Sequence, residues 1–130
     1  MVFVMKYLQG GSDFHAVNLN VHELQIISNL ISEVLHSIAE RQFQTRMGYS
    51  LEEVVHCLKH INQESSDPLS RQDDIIVTIS KDKFYIIWQS FNEVCYALKI
   101  NNYEQKIGIS KADLVEMFDE WITFESRFST

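Results

Sequence analysis

The stretch "RMGYSLEEV", residues 46–54, decides the fold because its pattern returns sixty residues later as "KIGISKADL", residues 106–114. Each copy has a basic residue, an apolar residue, a glycine and, two positions on, a serine that opens an amphipathic segment. A glycine at the end of one helix and a serine at the start of the next are ordinary signals for a turn between two helices. The sequence therefore predicts the same helix–turn–helix unit twice.

The likeness extends beyond these stretches when residues 17–61 are laid over residues 77–121 without a gap. Apolar positions keep a three-and-four spacing in both copies, which is typical of a helix with one buried face. Each copy reads as a short strand followed by three helices. A tandem duplication of this kind predicts repeats at 14–61 and 74–121, an additional N-terminal strand at 2–8 and a polar linker at 62–73.

These elements predict one α+β domain that covers residues 1–130. Two copies of a half-buried unit are expected to pack about a pseudo-twofold axis, which sets their strands side by side and antiparallel. With the additional N-terminal strand, we expect an antiparallel sheet of three strands with helices on one face.

The chain is acidic, with a formal net charge of −7 that is shared by both halves. An acidic field repels nucleic acids and anionic membranes and attracts basic proteins. The longest apolar runs are much shorter than the roughly 20 residues of a transmembrane helix, so we expect no membrane partner. The two cysteines have no paired spacing, and we interpret them as reduced thiols of a cytoplasmic protein.

A helix–turn–helix also occurs in DNA-binding proteins, so the charge of its second helix is informative. A recognition helix needs basic or amide side chains near its N-terminus to meet phosphates and bases. Both candidate helices are predominantly acidic instead. We therefore predict no direct nucleic-acid binding and interpret Gly48, Ser50, Gly108 and Ser110 as structural residues of the two turns.

Two further pairs recur at matching positions, Glu33 with Glu93 and Arg46 with Lys106. Because each copy has one acid and one base at these positions, we expect Glu33 to pair with Arg46, and Glu93 to pair with Lys106. Such pairs tie the first helix of each copy to its short second helix. All four residues are interpreted as structural.

Motifs for catalysis or cofactor binding are absent from the sequence, which has no glycine-rich phosphate loop, nucleophile elbow, HExxH or CxxC. His56 and His60 have the spacing of zinc ligands on a helix, but no third ligand accompanies them. We predict a protein that is not an enzyme and that uses no metal or cofactor.

The surface of the second copy supplies the candidates for binding a partner. Its last helix carries a row of acids, and Trp88 and Tyr96 lie off the apolar stripe. An acidic surface flanked by exposed aromatic rings suits a basic protein partner. The predicted partner-binding residues are Asp73, Asp74, Trp88, Tyr96, Asp113, Glu116, Asp119 and Glu120.

A small, acidic α+β protein without catalytic equipment resembles the immunity proteins of bacterial toxin systems, including those of contact-dependent growth inhibition. The resemblance lies in general character, and it assigns no role to any residue. It implies a cytoplasmic protein that binds a cognate toxin domain, expected to be a nuclease, and neutralises it. The alternative is a homodimeric regulatory or adaptor domain that uses its sheet edge or a helix face. A small-ligand pocket between the copies is a third hypothesis.

Overall fold

The strands and helices follow the predicted order. The computed structural model describes residues 3–11, 13–66 and 74–127, and these residues form three strands and six α-helices. The elements are β1 (Lys6–Gly10), β2 (Phe14–Leu19), α1 (Val21–Ser37), α2 (Glu40–Met47), α3 (Leu51–Ser66), β3 (Ile75–Ser80), α4 (Lys81–Asn92), α5 (Tyr103–Ile107) and α6 (Lys111–Glu125). A π-helical segment, Glu93–Ala97, continues α4.

The three strands form one antiparallel sheet in the order β1–β2–β3. β2 and β3, the strands of the two sequence copies, lie side by side with Val17 opposite Val77. A bulge between Tyr7 and Gln9 interrupts the pairing of β1 with β2. The predicted α+β class, with a small antiparallel sheet of three strands, is confirmed.

The two faces of the sheet have different surroundings. Side chains of β2 and β3 alternate between buried and more exposed positions, as in strands that pack on a core through one face. The inward residues are His15, Val17, Leu19, Ile75, Val77 and Ile79. On the outward face Phe14 is 60% exposed and Ile76 is 65% exposed. The helical core therefore lies against one face of the sheet.

The first helix of each half is capped and buries its apolar stripe. Asn20 Oδ1 accepts a hydrogen bond from the N–H of Glu23 at the start of α1, and Ser80 Oγ accepts one from the N–H of Lys83 at the start of α4. These caps satisfy backbone groups that a helix end leaves unpaired. Leu98, which ends the apolar stripe predicted for the first helix of the second copy, is half-buried. The buried residues of the stripes are Leu24, Ile27, Ile31, Val34, Ile38, Phe84, Ile87, Phe91 and Val94.

The two glycine turns have matching geometry. Gly48 ends α2 with a φ of 78°, and Gly108 ends α5 with a φ of 107°. Each glycine N–H donates to the carbonyl four residues earlier, at 2.8 Å. A side chain with a Cβ is strained in this left-handed region, so glycine suits both positions. Ser50 and Ser110 then cap α3 and α6 by accepting a hydrogen bond from the N–H three residues on.

The N-terminal strand begins later than predicted. It was expected at 2–8, whereas β1 covers Lys6–Gly10. The backbone N–H groups of Val4 and Met5 donate to Glu23 Oε2, at 2.9 and 3.2 Å, and not to a neighbouring strand. The buried Glu23 carboxylate thus holds the segment that precedes β1.

The linker predicted at 62–73 begins too early. Helix α3 continues to Ser66, so residues 62–66 are helical. Asn62 Oδ1 accepts a hydrogen bond from Ser28 Oγ of α1 at 2.6 Å, which joins this part of the helix to its neighbour. Residues 67–73 of the predicted linker lie outside the described residues.

Candidate functional site

Helix α6 presents its acidic side chains to solvent because its apolar residues occupy the opposite side. Successive residues of an α-helix are about 100° apart, so Glu116, Asp119 and Glu120 fall within one arc, and all three are exposed. Asp113, in the first turn, is half-buried. The buried side of α6 is formed by Leu114, Met117, Phe118, Trp121 and Phe124. We call the exposed residues Glu116, Asp119 and Glu120 the α6 acidic surface.

Both aromatic residues of the predicted partner-binding set, Trp88 and Tyr96, contact Phe118 of α6. The ring of Trp88 in α4 meets Phe118 edge-on, with ring centroids 5.6 Å apart. The ring of Tyr96 meets Phe118 at a tilt, with centroids 6.2 Å apart. Tyr96 is 64% exposed, whereas Trp88 is half-buried and its Nε1–H has no acceptor among the described residues. Tyr96 is thus the exposed aromatic beside α6, and Trp88 belongs mainly to the packed layer.

Tyr96 is part of the π-helical segment. The N–H of Leu98 donates to the carbonyl of Glu93, five residues earlier, at 2.8 Å. This turn is wider than an α-helical turn by one residue, and such turns are frequent at functional sites. Within it Glu93 is buried while Tyr96 is exposed. The ungapped alignment of the two copies predicts a regular helix here, and no sequence signal indicated the wider turn.

The predicted pairing of acids and bases within each copy is wrong, because Arg46 pairs with Glu93 of the other half. The Arg46 guanidinium donates to both carboxylate oxygens of Glu93, at 2.9 and 2.6 Å. Hydrogen bonding to Glu93 raises the pKa of Arg46. Neither Glu33 nor Lys106 forms an ion pair within the described ranges, and Glu33 accepts a hydrogen bond from Ser37 Oγ. The ion pair forms here because α2 packs against α4 as well as against α3.

Two side-chain amides join the halves in the same way. Asn29 Nδ2 in α1 donates to the carbonyl of Ile107 in α5 at 2.8 Å, and Gln89 Nε2 in α4 donates to the carbonyl of Arg46 in α2 at 3.0 Å. Each amide satisfies a carbonyl near the end of a short helix, where helices leave carbonyls unpaired. Sequence reasoning missed both amides, although Asn29 and Gln89 recur at the sixty-residue spacing and could have been found from it.

Of the two histidines of α3, His60 makes polar contacts. His60 Nδ1 lies 3.0 Å from Lys83 Nζ, and His60 Nε2 lies 3.4 Å from Glu64 Oε1. Burial and the neighbouring Lys83 lower the pKa of His60. Across residues 3–11, 13–66 and 74–127, no three histidine, cysteine, aspartate or glutamate side chains are grouped so that they could hold a metal ion. His60 therefore joins α3 to α4 through Lys83, whereas His56 is exposed on α3.

Both cysteines are buried in the core and form no disulfide with each other. Burial raises the pKa of the Cys57 thiol and of the Cys95 thiol to about 12. Because the thiolate is the reactive form of cysteine, these two side chains behave as apolar core residues.

The remaining predicted partner residues do not join the α6 acidic surface. Asp74 is exposed just before β3, where Ile75 pairs with Leu19, whereas α6 packs against α4 and the π-helical segment. Asp73 lies outside the described residues. The acidic residues that the fold brings together are those of α6.

Open depressions on the described surface include one at the sheet and one on a helix. One of about 450 Å³ lies around the β1–β2 hairpin and reaches Thr78 of β3, with Gln9, Asp13 and Phe14 in its lining. The other, of about 310 Å³, lies along α3 near Leu51. Both are on the outside of the molecule, and neither is an enclosed chamber within the core that the two halves share.

Comparisons with known proteins return no match, whether with protein-family profiles, with curated proteins or with solved structures. Among the described residues, no helix is both long enough and apolar enough to cross a membrane. The class defined by the fold is a small α+β protein with an antiparallel sheet of three strands.

Proposed function

We propose that this chain is an inhibitor of the immunity type, which binds a basic toxin domain through the α6 acidic surface. The observation that carries the proposal is that Glu116, Asp119 and Glu120 share one exposed arc of α6, and that the exposed ring of Tyr96 packs on Phe118 of the same helix. The protein acts by covering a surface of its partner and breaks no bonds. A cytoplasmic location, and the lack of any metal, cofactor, nucleic-acid or membrane partner, belong to the same proposal.

Charge and aromatic contact contribute differently to this binding. The carboxylates steer a basic partner from a distance and raise the association rate, an effect that salt screens. The ring of Tyr96 supplies contact area at the centre of the interface. Because the buried Phe118 touches both Trp88 and Tyr96, the ring of Tyr96 rests on a packed support. A supported side chain loses less conformational freedom when the partner binds.

The matching surface of the first half has a different charge. At the positions of α3 that correspond to the α6 acidic surface, the first half has His56, Lys59 and His60. The acids are therefore concentrated in the second half, and a basic partner is expected to meet α6 in preference to α3.

The two halves also form a tandem pair related by a pseudo-twofold axis. The supporting features are the β2–β3 register, in which Val17 faces its own counterpart Val77, and the hydrogen bonds that the matching amides Asn29 and Gln89 each donate to the short helix of the other half. An antiparallel pair with matching residues opposite each other has a local twofold axis between them. The duplicated scaffold thus supplies the fold, and changes in its second copy supply the binding surface.

A binding experiment tests the proposal. The probe is the C-terminal domain of the protein encoded immediately upstream, and stopped-flow fluorescence follows its association at about 0.05 M and about 0.5 M NaCl. We expect a one-to-one complex whose association rate constant falls about tenfold or more at the higher salt. Combining Glu116→Gln, Asp119→Asn and Glu120→Gln is expected to slow association by about tenfold at low salt, and Tyr96→Ala to speed dissociation.

The matched control removes acids from the first half. Glu52→Gln combined with Glu53→Gln neutralises two exposed carboxylates of α3, and the glutamine at position 53 can still accept the Ser50 N–H bond. We expect this variant to associate within about twofold of the wild type. The proposal is contradicted if the association rate constant does not change with salt, or if the control variant slows association as much as the α6 variant does. The lack of any complex also contradicts it.

A further inference from the structure

Some backbone N–H and C=O groups of β3 point away from β2, toward the outer edge of the sheet. The N–H of Lys81 donates to the carbonyl of Asp13 at 3.1 Å, in register with the β2–β3 pairing. Bonded and non-bonded pairs alternate in an antiparallel ladder, so every second residue of β3, starting at Ile75, bonds to β2. The N–H and C=O groups of Ile76 and Thr78 therefore point to the outer edge, where no strand of the described chain pairs with them.

The two edges of the sheet differ in their protection against pairing with another strand. β1 carries Lys6 and a bulge between Tyr7 and Gln9, and charges and bulges are common devices that keep an edge strand unpaired. β3 has no charged residue, proline or bulge from Ile75 to Ser80, and its Ile76 is 65% exposed. As far as the described residues extend, the outer edge of β3 is therefore free to accept a strand.

We propose that β3 pairs antiparallel with β3 of a second copy of this chain, with Val77 on the twofold axis. In this register the outward groups of Ile76 bond to those of Thr78 in the second copy, and the reciprocal pair brings the total to about four backbone hydrogen bonds.

The charges that flank β3 identify the occupant as a second copy in this orientation. Antiparallel pairing with Val77 on the axis sets Asp74 opposite Ser80 of the other copy, one residue from the positive charge of Lys81, at both ends of the paired strands. Both side chains are exposed, and within residues 3–11, 13–66 and 74–127 neither forms an ion pair. Parallel pairing sets Asp74 beside Asp74, which repels. The strand is thus complementary to itself in one orientation.

The contact is expected to be weak and to leave the α6 acidic surface free. A six-residue edge buries less than the roughly 1,200 Å² of a stable interface, so monomer and dimer exchange with concentration. No residue of the α6 acidic surface lies in β3. The self-association therefore does not depend on the proposed function, and a dimer presents two acidic surfaces.

Sedimentation of the full chain between about 10 µM and about 1 mM measures this equilibrium. Thr78→Pro removes an outward N–H without removing a bond to β2, and we expect the dimer dissociation constant to rise by about tenfold or more. Thr78→Val keeps the N–H and is the matched control, expected to stay within about twofold of the wild type. Phe14→Ser, on the outward face of the sheet, is expected to leave the equilibrium unchanged because edge pairing does not use that face.

A charge exchange tests the antiparallel orientation with exposed residues only. Asp74→Lys and Lys81→Asp are each expected to weaken the dimer by about threefold, and the combined variant to restore the wild-type dissociation constant. A chain that is monomeric at about 1 mM overturns the proposal. A folded Thr78→Pro variant that dimerises as tightly as the wild type also overturns it, as does a dimer lost through Phe14→Ser or a combined variant that fails to restore binding.

Discussion

The two halves of the chain end their first helix differently, although their sequence spacing is the same. The N–H of Ile38 donates to the carbonyl of Val34, four residues earlier, at 3.1 Å, whereas that of Leu98 donates to the carbonyl of Glu93, five residues earlier, at 2.8 Å. The wider turn accompanies a buried Glu93 and an exposed Tyr96. A repeated pattern can thus keep its register and nearly the same exposure, since His36 and Tyr96 are both exposed, while one hydrogen bond at the end of the helix changes.

The cores of the two halves differ as well. In the second half Phe84 stacks on Trp121 with ring centroids 4.9 Å apart, and Phe91 stacks on Phe118 with centroids 5.3 Å apart. An aromatic ring buries more surface than an aliphatic side chain, so each of these core residues buries more surface in the second half than its counterpart in the first. The matching residues of the first half are Leu24, Ile61, Ile31 and Leu58.

The largest difference between the halves is expected when matching core residues are truncated. Trp121 is fully buried, and its Nε1–H donates to the carbonyl of Phe84 at 3.4 Å. Trp121→Ala is expected to lower the free energy of unfolding by about 3–5 kcal/mol, and Ile61→Ala by about 2–4 kcal/mol, because fewer contacts are removed. Urea unfolding followed by circular dichroism measures both losses. A smaller loss for Trp121→Ala than for Ile61→Ala would contradict an aromatic core in the second half.

The ion pair between the halves gives the next largest effect. Arg46→Met leaves the Glu93 carboxylate buried without its partner, and we expect a loss of about 2–3 kcal/mol in urea unfolding, because the Arg46 side chain is only 32% exposed. Lys106→Met, at the matching exposed position, is the control and is expected to stay within about 0.5 kcal/mol of the wild type. Adding Glu93→Met to Arg46→Met should recover part of the loss, since no charge is then left buried. Equal losses at Arg46 and Lys106 would show that this contact does not distinguish the halves.

The glycine turns are expected to respond alike. Gly48→Ala and Gly108→Ala should each cost about 1–2 kcal/mol, because both positions have a positive φ. An added Cβ meets nothing within 4 Å at Gly48 and nothing closer than 3.6 Å at Gly108, so crowding adds little. Asparagine tolerates the left-handed region better, and Gly48→Asn and Gly108→Asn should cost less. Thermal unfolding measures the four variants, and losses that differ between the turns by more than about 1 kcal/mol would count against their equivalence.

The smallest effect concerns the pH dependence of stability at His60, a position that Glu120 occupies in the second half. Because the pKa of His60 is lowered in the folded protein, the unfolded chain binds more protons as the pH falls below the ordinary histidine value of 6.5. The stability that neutral His60 contributes is therefore present above that value and lost as the pH falls toward the lowered pKa. His60→Gln should lose less stability than the wild type between about pH 7.5 and about pH 5.5 in urea unfolding. The exposed His22→Gln is the control, and an unchanged pH profile in His60→Gln would refute the assignment.

Sequence reasoning reached the elements of the fold but not all the contacts between them. The element order, the sheet and the β2–β3 pairing could be predicted because caps, glycine turns and apolar spacing act within a few residues. The partner of Arg46 could not, because Glu93 is 47 residues away in the sequence and is reached only where α2 packs against the second half. Glu33 and Glu93 occupy matching positions in the sequence, and only the tertiary structure shows that Glu93 is the acid close to Arg46.

The same division holds for the candidate site. Helical spacing alone placed Glu116, Asp119 and Glu120 on one side of α6, because that arrangement depends only on the geometry of one helix. The exposure of Tyr96 follows in the same way from its position off the apolar stripe, whereas the partial burial of Trp88 depended on the packing of α4 against Phe118. The sequence by itself determined the helices, strands, turns and acidic face, since these follow from interactions between near neighbours. Only the tertiary structure decided which side chains meet across the core, because the geometry of packed helices is a property of the whole chain.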